Sequence, residues 1–279
     1  MTKEIILVGD WGSETNICQN SFHTEKHDEI VLLGDNFYPS GVVSHEDVQW
    51  KTKYEKVFPH GSKKYAVLGN HDYLGNVFSQ ISYTFHPNNQ NWYMPHFFYD
   101  EIDKDNDCHH IFIDSCLFDP QITTMYSQAC NIKPEHEQQY FGLVFHYQQR
   151  QQKWLEKILK ESKCRWKIVY GHYPILSNGP HQQAYEFVST VKPLLEKYNV
   201  DIYACGHDHN CQILRENNVT YLVTGGSNYH EHTSPIPQNF FTSEKTGFMK
   251  LSICQNTIDI EHCDSNQTKH HIFSMSKYN

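Results

Sequence analysis

Five short apolar runs in this chain each end in a glycine that is followed at once by a residue with an oxygen or nitrogen donor. The five junctions are Gly9-Asp10, Gly34-Asp35, Gly69-Asn70, Gly171-His172 and Gly206-His207. Each is typical of a β-strand that ends in a tight turn. If the five strands share one sheet edge, their tips place these side chains in one crevice, the region where open α/β sheets bind ligands. Side chains of these types, gathered in one crevice, indicate a metal centre.

Strands and helices alternate along the first two thirds of the chain. A helix is predicted from about Tyr147 to Leu159, and a second one carries an apolar stripe from Phe187 to Tyr198. The predicted buried strands are Ile5–Val8, Ile30–Leu33, Tyr65–Leu68, Trp166–Tyr170 and Val200–Cys205. This alternation predicts parallel pairing of the strands.

The C-terminal third differs in character because the helical period vanishes after Cys211. Strands are predicted at Tyr221–Thr224, Phe248–Ile253 and Thr257–Glu261, and we expect this part to supply a second sheet.

Three further segments carry weaker predictions. The polar stretch Asp119–Glu137 lacks helical periodicity and predicts a functional or mobile loop. The aromatic stretch Asn91–Pro95 favours a core segment beneath a loop over a wall of the cleft. Four clustered glutamines predict an exposed helix face, namely Gln148, Gln149, Gln151 and Gln152.

Composition limits the classes of partner. The 279 residues fit one large domain over 1–279, and a formal charge of -9 with a pI of about 6.1 argues against nucleic acid. No apolar run is long enough for a membrane span, so we expect no membrane partner. The nine cysteines are an odd number without a Cys-x-x-Cys pair, and most are expected to be buried thiols. As written, the chain is expected to be cytoplasmic, or secreted or lysosomal if a leader has been removed.

Taken singly, the motifs have ordinary explanations. Asp10 could be a turn residue, Tyr38 a packed aromatic, and Gly206-His207-Asp208-His209 a surface histidine pair. Taken together, five accidental junctions of the same kind are improbable. Most other histidines are expected on the surface or in loops rather than as ligands, including His109, His110, His270 and His271.

The complete set of motifs resembles a known family. The motifs are Asp10-Trp11-Gly12, Gly34-Asp35-Asn36-Phe37-Tyr38, Gly69-Asn70-His71-Asp72, Gly171-His172-Tyr173-Pro174 and Gly206-His207-Asp208-His209. They resemble the five-motif pattern of purple acid phosphatases, within the calcineurin-like metallophosphoesterases, and are most similar to the small mammalian-type, tartrate-resistant members. The resemblance implies an α/β fold, a four-layer α/β/β/α sandwich of two mixed β-sheets flanked by helices.

The resemblance also implies a set of metal ligands. It assigns Asp10, Asp35, Tyr38 and His209 to Fe(III), and Asp35, Asn70, His172 and His207 to a divalent Fe, Zn or Mn ion, so that Asp35 bridges both. The division agrees with ligand chemistry, because hard carboxylate and phenolate oxygens suit Fe(III) whereas imidazoles suit the divalent metals.

Two further histidines match family positions that contact substrate. His71 and His181 are implied to bind phosphate and to stabilise or protonate the departing alkoxide, and Asn70 is implied to contact substrate as well. The implied activity is hydrolysis of phosphate monoesters by in-line attack of a metal-bound hydroxide, with an acidic optimum. Small phosphate esters are the expected substrates, phosphopeptides are further candidates, and the protein is expected to be a monomer.

Two other classes of function stay open from the sequence. A metallophosphodiesterase of the same superfamily shares the metal clamp but usually has Asp-x-His where this chain has Asp10-Trp11-Gly12, and it lacks the equivalent of Tyr38. A non-hydrolytic iron protein would have no need of His71 and His181. Regulation through the segment Asp119–Glu137 is a further hypothesis.

Overall fold

The computed structural model describes residues 1–13, 18–58, 60–129, 133–181, 184–227, 231–234, 236–266 and 268–277. Two seven-stranded sheets dominate it. The strands are β1 (Lys3–Val8), β2 (Glu29–Leu33), β3 (Lys63–Val67), β4 (Trp92–Tyr93), β5 (Tyr99–Asp103), β6 (Cys108–Phe112), β7 (Trp166–Tyr170), β8 (Ile202–Cys205), β9 (Cys211–Glu216), β10 (Val219–Thr224), β11 (Asn239–Ser243), β12 (Gly247–Ile253), β13 (Thr257–Asp264) and β14 (Lys269–Ser276).

Six α-helices flank these sheets in the described part of the chain. They are α1 (Gln19–Thr24), α2 (Glu55–Val57), α3 (Val77–Tyr83), α4 (Pro120–Ala129), α5 (Pro134–Glu161) and α6 (Tyr185–Lys197). Short 3-10 turns at Asp72–Leu74 and Ser115–Phe118 and a π-helical turn at Trp50–Tyr54 complete the helical segments.

Both sheets are mixed. The first has the order β14-β13-β12-β1-β2-β3-β4, and the second has the order β11-β9-β10-β8-β7-β6-β5. The strands β1 to β4 pair in parallel, as do β6, β7 and β8, whereas β12 pairs antiparallel with β1. The predicted four-layer fold of two mixed sheets flanked by helices is therefore confirmed.

The core lies between the sheets and is rich in aromatic rings. Tyr65 of β3 stacks on Phe112 of β6 with ring centroids 5.2 Å apart, which joins the two sheets. Trp92 and Met94 are buried, and the Trp92 ring lies 5.1 Å from that of Trp50. The prediction that the stretch Asn91–Pro95 closes the core rather than walls a cleft is confirmed for these two side chains.

The strands of the C-terminal third are divided between the two sheets. The prediction that they supply a second sheet is wrong. The strands β12, β13 and β14 extend the first sheet, whereas β9, β10 and β11 extend the second. The decisive contact is the antiparallel register of Lys3 with Ile253. A pairing so distant in sequence leaves no local signal.

The segment Asp119–Glu137 is largely helical where the structure describes it. The loop prediction is wrong, because α4 occupies Pro120–Ala129 and α5 already begins at Pro134. Ile122 and Ser127 are the buried side chains of α4 in its described part, too few to produce a visible apolar stripe. The first half of α5 exposes apolar side chains such as Leu143, which masks its period.

Two predictions about exposure are also wrong. Gln148 and Gln151 are buried on α5, and only Gln149 and Gln152 are exposed. His109 and His110 lie buried on β6 rather than at the surface, whereas the His270 side chain is 45% exposed.

Most of the described cysteines are buried, as predicted. Cys130 lies outside the described residues; of the other cysteines, Cys164 and Cys254 are half-buried and the rest are buried. None of the described helices is both long and apolar enough to cross a membrane.

Candidate metal centre

The five glycine junctions meet between the two sheets. They follow β1, β2 and β3 of the first sheet and β7 and β8 of the second, so the expected single sheet edge is replaced by two facing edges. The turns approach closely, since a Cβ added at Gly9 would lie 2.8 Å from the Cα of Gly206. A side chain at either position would push the two sheets apart.

Three residues of these turns have left-handed backbone conformations. The φ angles are 59° for Asp10, 51° for Asp35 and 70° for His207. Such angles are uncommon outside glycine and concentrate at functional sites. They turn each side chain back towards the gap between the sheets.

One group of donors surrounds Tyr38. Its hydroxyl oxygen lies 2.7 Å from Oδ2 of Asp35, 2.9 Å from Oδ1 of Asp10 and 3.4 Å from Nε2 of His209. His209 Nε2 is also 3.3 Å from Oδ1 of Asp10. The four residues expected to hold Fe(III) are therefore brought together.

The second group lies on the other side of Asp35. Nε2 of His172 is 3.0 Å from Oδ1 of Asn70 and 3.5 Å from Oδ1 of Asp35. The Nδ1 of His172 donates to the Leu33 carbonyl at 2.8 Å, which directs Nε2 into the site. The His207 ring is centred 5.1 Å from that of His172. Asp35 thus contacts both groups, as a bridging ligand would.

Burial shapes the ionisation of these groups. Asp10 and Asp35 are both buried, which raises the pKa of Asp35. For Asp10, the hydrogen bond and charge of His209 outweigh burial and lower the pKa. Burial raises the pKa of Tyr38, and the charges of Asp10 and Asp35 raise it further. At His209, the hydrogen bond to Asp10 and the charge of Asp10 outweigh burial and raise the pKa to about 9.

The donor set fits a pair of metal ions. Donor atoms of Asp10, Asp35 and His172 lie within 4.8 Å of one another, and all three residues are buried. Two carboxylates in a buried site are costly without positive charge nearby, and a bound cation would supply it. Carboxylate and phenol oxygens on one side, with amide and imidazole donors on the other, match a hard ion beside a softer one.

The two expected substrate histidines lie at the rim of this centre. Nδ1 of His71 donates to the Pro39 carbonyl at 2.6 Å, and its Nε2 is 4.0 Å from Oδ2 of Asp35. Nδ1 of His181 is 2.8 Å from Oδ1 of Asp208, a hydrogen bond that raises the pKa of His181. The side chains of His71 and His181 are 34% and 36% exposed, so both can reach a ligand from solvent.

A buried polar network connects the first three motifs. It was not among the sequence predictions. The Asn36 side chain accepts from Nε1 of Trp11 at 3.0 Å and donates to Oδ2 of Asp72 at 3.1 Å. Asp72 also accepts from the backbone N–H of Gly69 and from Gln80 Nε2, each at 2.8 Å. The signal was available, because Trp11, Asn36 and Asp72 stand inside the motifs.

A second network supports the fourth motif. Ser115 Oγ accepts from the backbone N–H of His172 at 3.1 Å and of Tyr173 at 2.8 Å. Gln151 of α5 accepts from the backbone N–H of Asp114 at 2.7 Å and donates to its carbonyl at 2.8 Å. Nothing in the sequence marks Gln151 as a support of His172.

Two carboxylates, one inside the fifth motif and one outside it, accept hydrogen bonds from backbone N–H groups at the site. Oδ1 of Asp208 accepts from the backbone N–H of His181 at 3.2 Å, and Oε2 of Glu231 accepts from the backbone N–H of His209 at 3.1 Å. Asp208 could have been found in its motif, whereas Glu231 stands in a segment without any pattern.

Comparison with known proteins agrees with this geometry. A model of the calcineurin-like phosphoesterase family matches residues 4–211. The chain is 32% identical over 268 residues to tartrate-resistant acid phosphatase type 5 of Rattus norvegicus, covering 86% of this chain and 78% of that protein. It is 27% identical to purple acid phosphatase 7 of Arabidopsis thaliana, covering 98% of this chain and 85% of that protein.

Solved structures show the same fold. GAP50, the anchor in the inner membrane complex of Plasmodium, has a TM-score of 0.80 at 23% identity, covering 99% of this chain and 90% of that one. Purple acid phosphatase PPD1 of yellow lupin has a TM-score of 0.64 at 15% identity, covering 99% of this chain and 54% of that one. The chain therefore belongs to the calcineurin-like phosphoesterase family, and its relatives named acid phosphatase indicate a metal-dependent hydrolase.

Proposed function

We propose that the protein is an acid phosphatase that hydrolyses phosphate monoesters at a dinuclear centre of Fe(III) and a divalent Fe, Zn or Mn ion. The observation that carries the proposal is the convergence of seven donor residues from both sheets on one site between them. Asp10, Asp35, Tyr38 and His209 would hold Fe(III), and Asp35, Asn70, His172 and His207 would hold the divalent ion.

When bound, the ions would supply positive charge for the phosphoryl oxygens and acidify the attacking water. Asn70 stands beside His172 and would orient the phosphate group. His71 and His181 are partly exposed at the rim of the centre: the His71 ring is centred 4.4 Å from that of Tyr38, and the His181 ring 4.5 Å from that of His207. Their imidazoles would donate to phosphate oxygens and deliver a proton to the leaving oxygen.

The packing of Gly12 favours the monoesterase over the diesterase. A Cβ added at Gly12 would overlap the backbone of Asn36 and Phe37, so the turn has no room for the histidine of an Asp-x-His motif. Tyr38 lies next to Asp10 instead and supplies the oxygen donor. Small phosphate esters are the proposed substrates, in agreement with the names of the relatives, and phosphopeptides are a further class.

Paired kinetic assays test the proposal. We expect the metal-loaded enzyme to hydrolyse 4-nitrophenyl phosphate with a kcat/KM well above that for bis(4-nitrophenyl) phosphate and with an acidic pH optimum. His71→Ala and His181→Ala should each lower kcat by about 10²- to 10⁴-fold without loss of bound metal. His270→Ala is the matched control, because that side chain is 45% exposed on β14, the edge strand of the first sheet that two other strands separate from β1. A faster diester reaction, or full activity in the double His71/His181 variant, would reject the proposal.

A further inference from the structure

A cavity of about 570 Å³ extends from the candidate metal centre to the N-terminal ends of α4 and α6. Asn70, His181 and His207 line its inner end, where the phosphate of a substrate would lie under the proposed function. The outer part is therefore the place for the group that the phosphate esterifies. Its walls determine which leaving groups the site accepts.

The outer walls are largely apolar and aromatic. The apolar and aromatic side chains that line them are Phe118, Pro120, Ile122, Tyr173, Ala184 and Tyr185. A second cavity of about 130 Å³ shares Phe118, Pro120 and Glu186 and continues towards Phe141 and Phe145 of α5. An apolar leaving group would bind walls of this kind favourably, because its apolar surface is removed from water.

The charged groups in these walls are acidic. Asp119 and Glu186 line the cavity, and none of the lining residues that the structure describes is Lys or Arg. Both carboxylates are held in place, since Asp119 Oδ2 accepts from the Tyr173 hydroxyl at 2.9 Å and Glu186 Oε1 accepts from Gln148 Nε2 at 2.8 Å. In the outer part of the cavity, a negatively charged leaving group would approach these two fixed carboxylates, whereas the imidazoles of His181 and His207 lie at the inner end, beside the phosphate.

We propose that this cavity is a leaving-group site that selects aromatic phosphate monoesters whose leaving group carries no negative charge. Phe118 and Tyr185 form the apolar walls, and Asp119 and Glu186 are specificity-determining residues that disfavour anionic leaving groups. The inference rests on the proposed phosphatase function and names the substrate class for that same site. It predicts poor turnover of esters that carry further carboxylates or phosphates.

A matched substrate pair isolates the charge effect. Phenyl phosphate and 4-carboxyphenyl phosphate share a ring and release phenols of similar acidity, so their chemical reactivity is comparable. At a pH where the benzoate is ionised, we expect kcat/KM to favour phenyl phosphate by about tenfold. Glu186→Gln and Asp119→Asn should each reduce this ratio by about threefold through a higher kcat/KM for the carboxylated ester.

A control variant separates the local effect from a general change in charge. Glu161→Gln also removes one negative charge, but it lies exposed at the C-terminal end of α5, outside the lining of both cavities. Its substrate ratio should equal that of the unmodified enzyme, because salt screens distant exposed charges.

Inhibition tests the aromatic wall without any bond cleavage. Phenylphosphonate and methylphosphonate present the same anionic head, so the ratio of their inhibition constants reports contact with the ring. Tyr185→Ala should raise the inhibition constant of phenylphosphonate about fivefold and leave that of methylphosphonate unchanged. Tyr185 is 85% exposed, so its truncation spares the core, and Phe240→Ala at a 52% exposed position of β11 is the matched control.

The outcomes distinguish this inference from the proposed function. Turnover with a substrate ratio near one, or with a ratio that Glu186→Gln and Asp119→Asn leave unchanged, would overturn the leaving-group site alone. Equal inhibition by the two phosphonates would do the same. Failure of the metal-loaded enzyme to hydrolyse any monoester would contradict the proposed function and this inference with it.

Discussion

At the scale of single residues, the centre is held by contacts that cross between motifs. Oδ2 of Asp10 accepts from the backbone N–H of His207 at 2.8 Å, and Oδ1 of Asp35 accepts from that of His71 at 2.9 Å. A carboxylate of one strand thus fixes the turn of another. These bonds help to keep the left-handed conformations of Asp10, Asp35 and His207, which are strained in isolation.

Under the proposed function, Tyr38 would distinguish an iron site from other metal sites. Coordination of a phenolate to Fe(III) produces a broad visible absorption, so the proposal predicts a coloured protein once oxidised iron is bound. Tyr38→Phe should abolish the band while the protein stays folded, as measured by visible spectroscopy beside circular dichroism. Tyr173→Phe removes a hydroxyl bonded to Asp119 and should keep the colour. A band that survives in Tyr38→Phe would contradict the ligand assignment.

At the scale of elements, each motif turn depends on a neighbouring segment. The Asn36–Asp72 network ties the ends of β1, β2 and β3 together beneath the first three motifs. The helix α5 supports the fourth motif through Gln151, which fixes Asp114 and hence the turn at Ser115–Phe118. The site therefore needs the helical layer as well as the strand ends.

Removal of the Gln151 amide tests this dependence. Gln151→Leu keeps most of the volume but leaves the buried N–H and carbonyl of Asp114 without their partner, which should cost about 2 kcal/mol of unfolding free energy. The proposed divalent ion should also dissociate faster, because the backbone N–H of its ligand His172 donates to Ser115, the residue after Asp114. Urea unfolding and metal-release kinetics measure the two effects. Gln152→Leu, exposed on the same helix, should change neither, and equal behaviour of the two variants would contradict this account.

At the scale of the whole molecule, buried histidines make stability depend on pH. Burial lowers the pKa of His110 to about 3 and that of His262 to about 4. The unfolded chain takes up these protons near pH 6.5 whereas the folded one does not, so stability is lost as the pH falls below that value. His110 alone should account for about 2 kcal/mol between pH 7 and pH 5.

The variant His110→Gln isolates this contribution. It cannot titrate and keeps a polar atom near the Tyr170 hydroxyl, so its unfolding free energy should fall less steeply with acid than that of the unmodified chain. Chemical unfolding at several pH values gives both slopes. His23→Gln, an exposed change on α1, should leave the slope unaltered, and parallel curves for His110→Gln and the unmodified chain would refute the effect.

The sequence was informative wherever the chemistry lies next to a strand end. Asp10, Asp35 and Asn70 directly follow a glycine and a short apolar run, so their strands and their convergence could be predicted. The division of strands between two sheets could not, because it is decided by pairings such as Lys3 with Ile253. The same holds for Gln151, whose role depends on where α5 packs rather than on its neighbours in sequence.

The roles of the metal-ligand and substrate residues stay predictions, as does the single domain over 1–279. The seven ligand candidates converge, and His71 and His181 flank them with half-exposed rings. The segment Asp119–Glu137 contributes Asp119, Pro120, Gln121 and Ile122 to the cavity wall. Regulation of the activity through this segment therefore stays a hypothesis. Limited proteolysis combined with activity assays would test it.

The most direct test of the central claim is the metal content of the purified protein after equilibration with iron and zinc. Two ions per chain, at least one of them iron, are predicted for the unmodified protein and for the exposed control Asp105→Asn. Asp35→Asn, which removes the charge shared by both donor groups, should bind fewer than one. A content of one ion or none in the unmodified protein, or two ions in Asp35→Asn, would contradict the dinuclear centre.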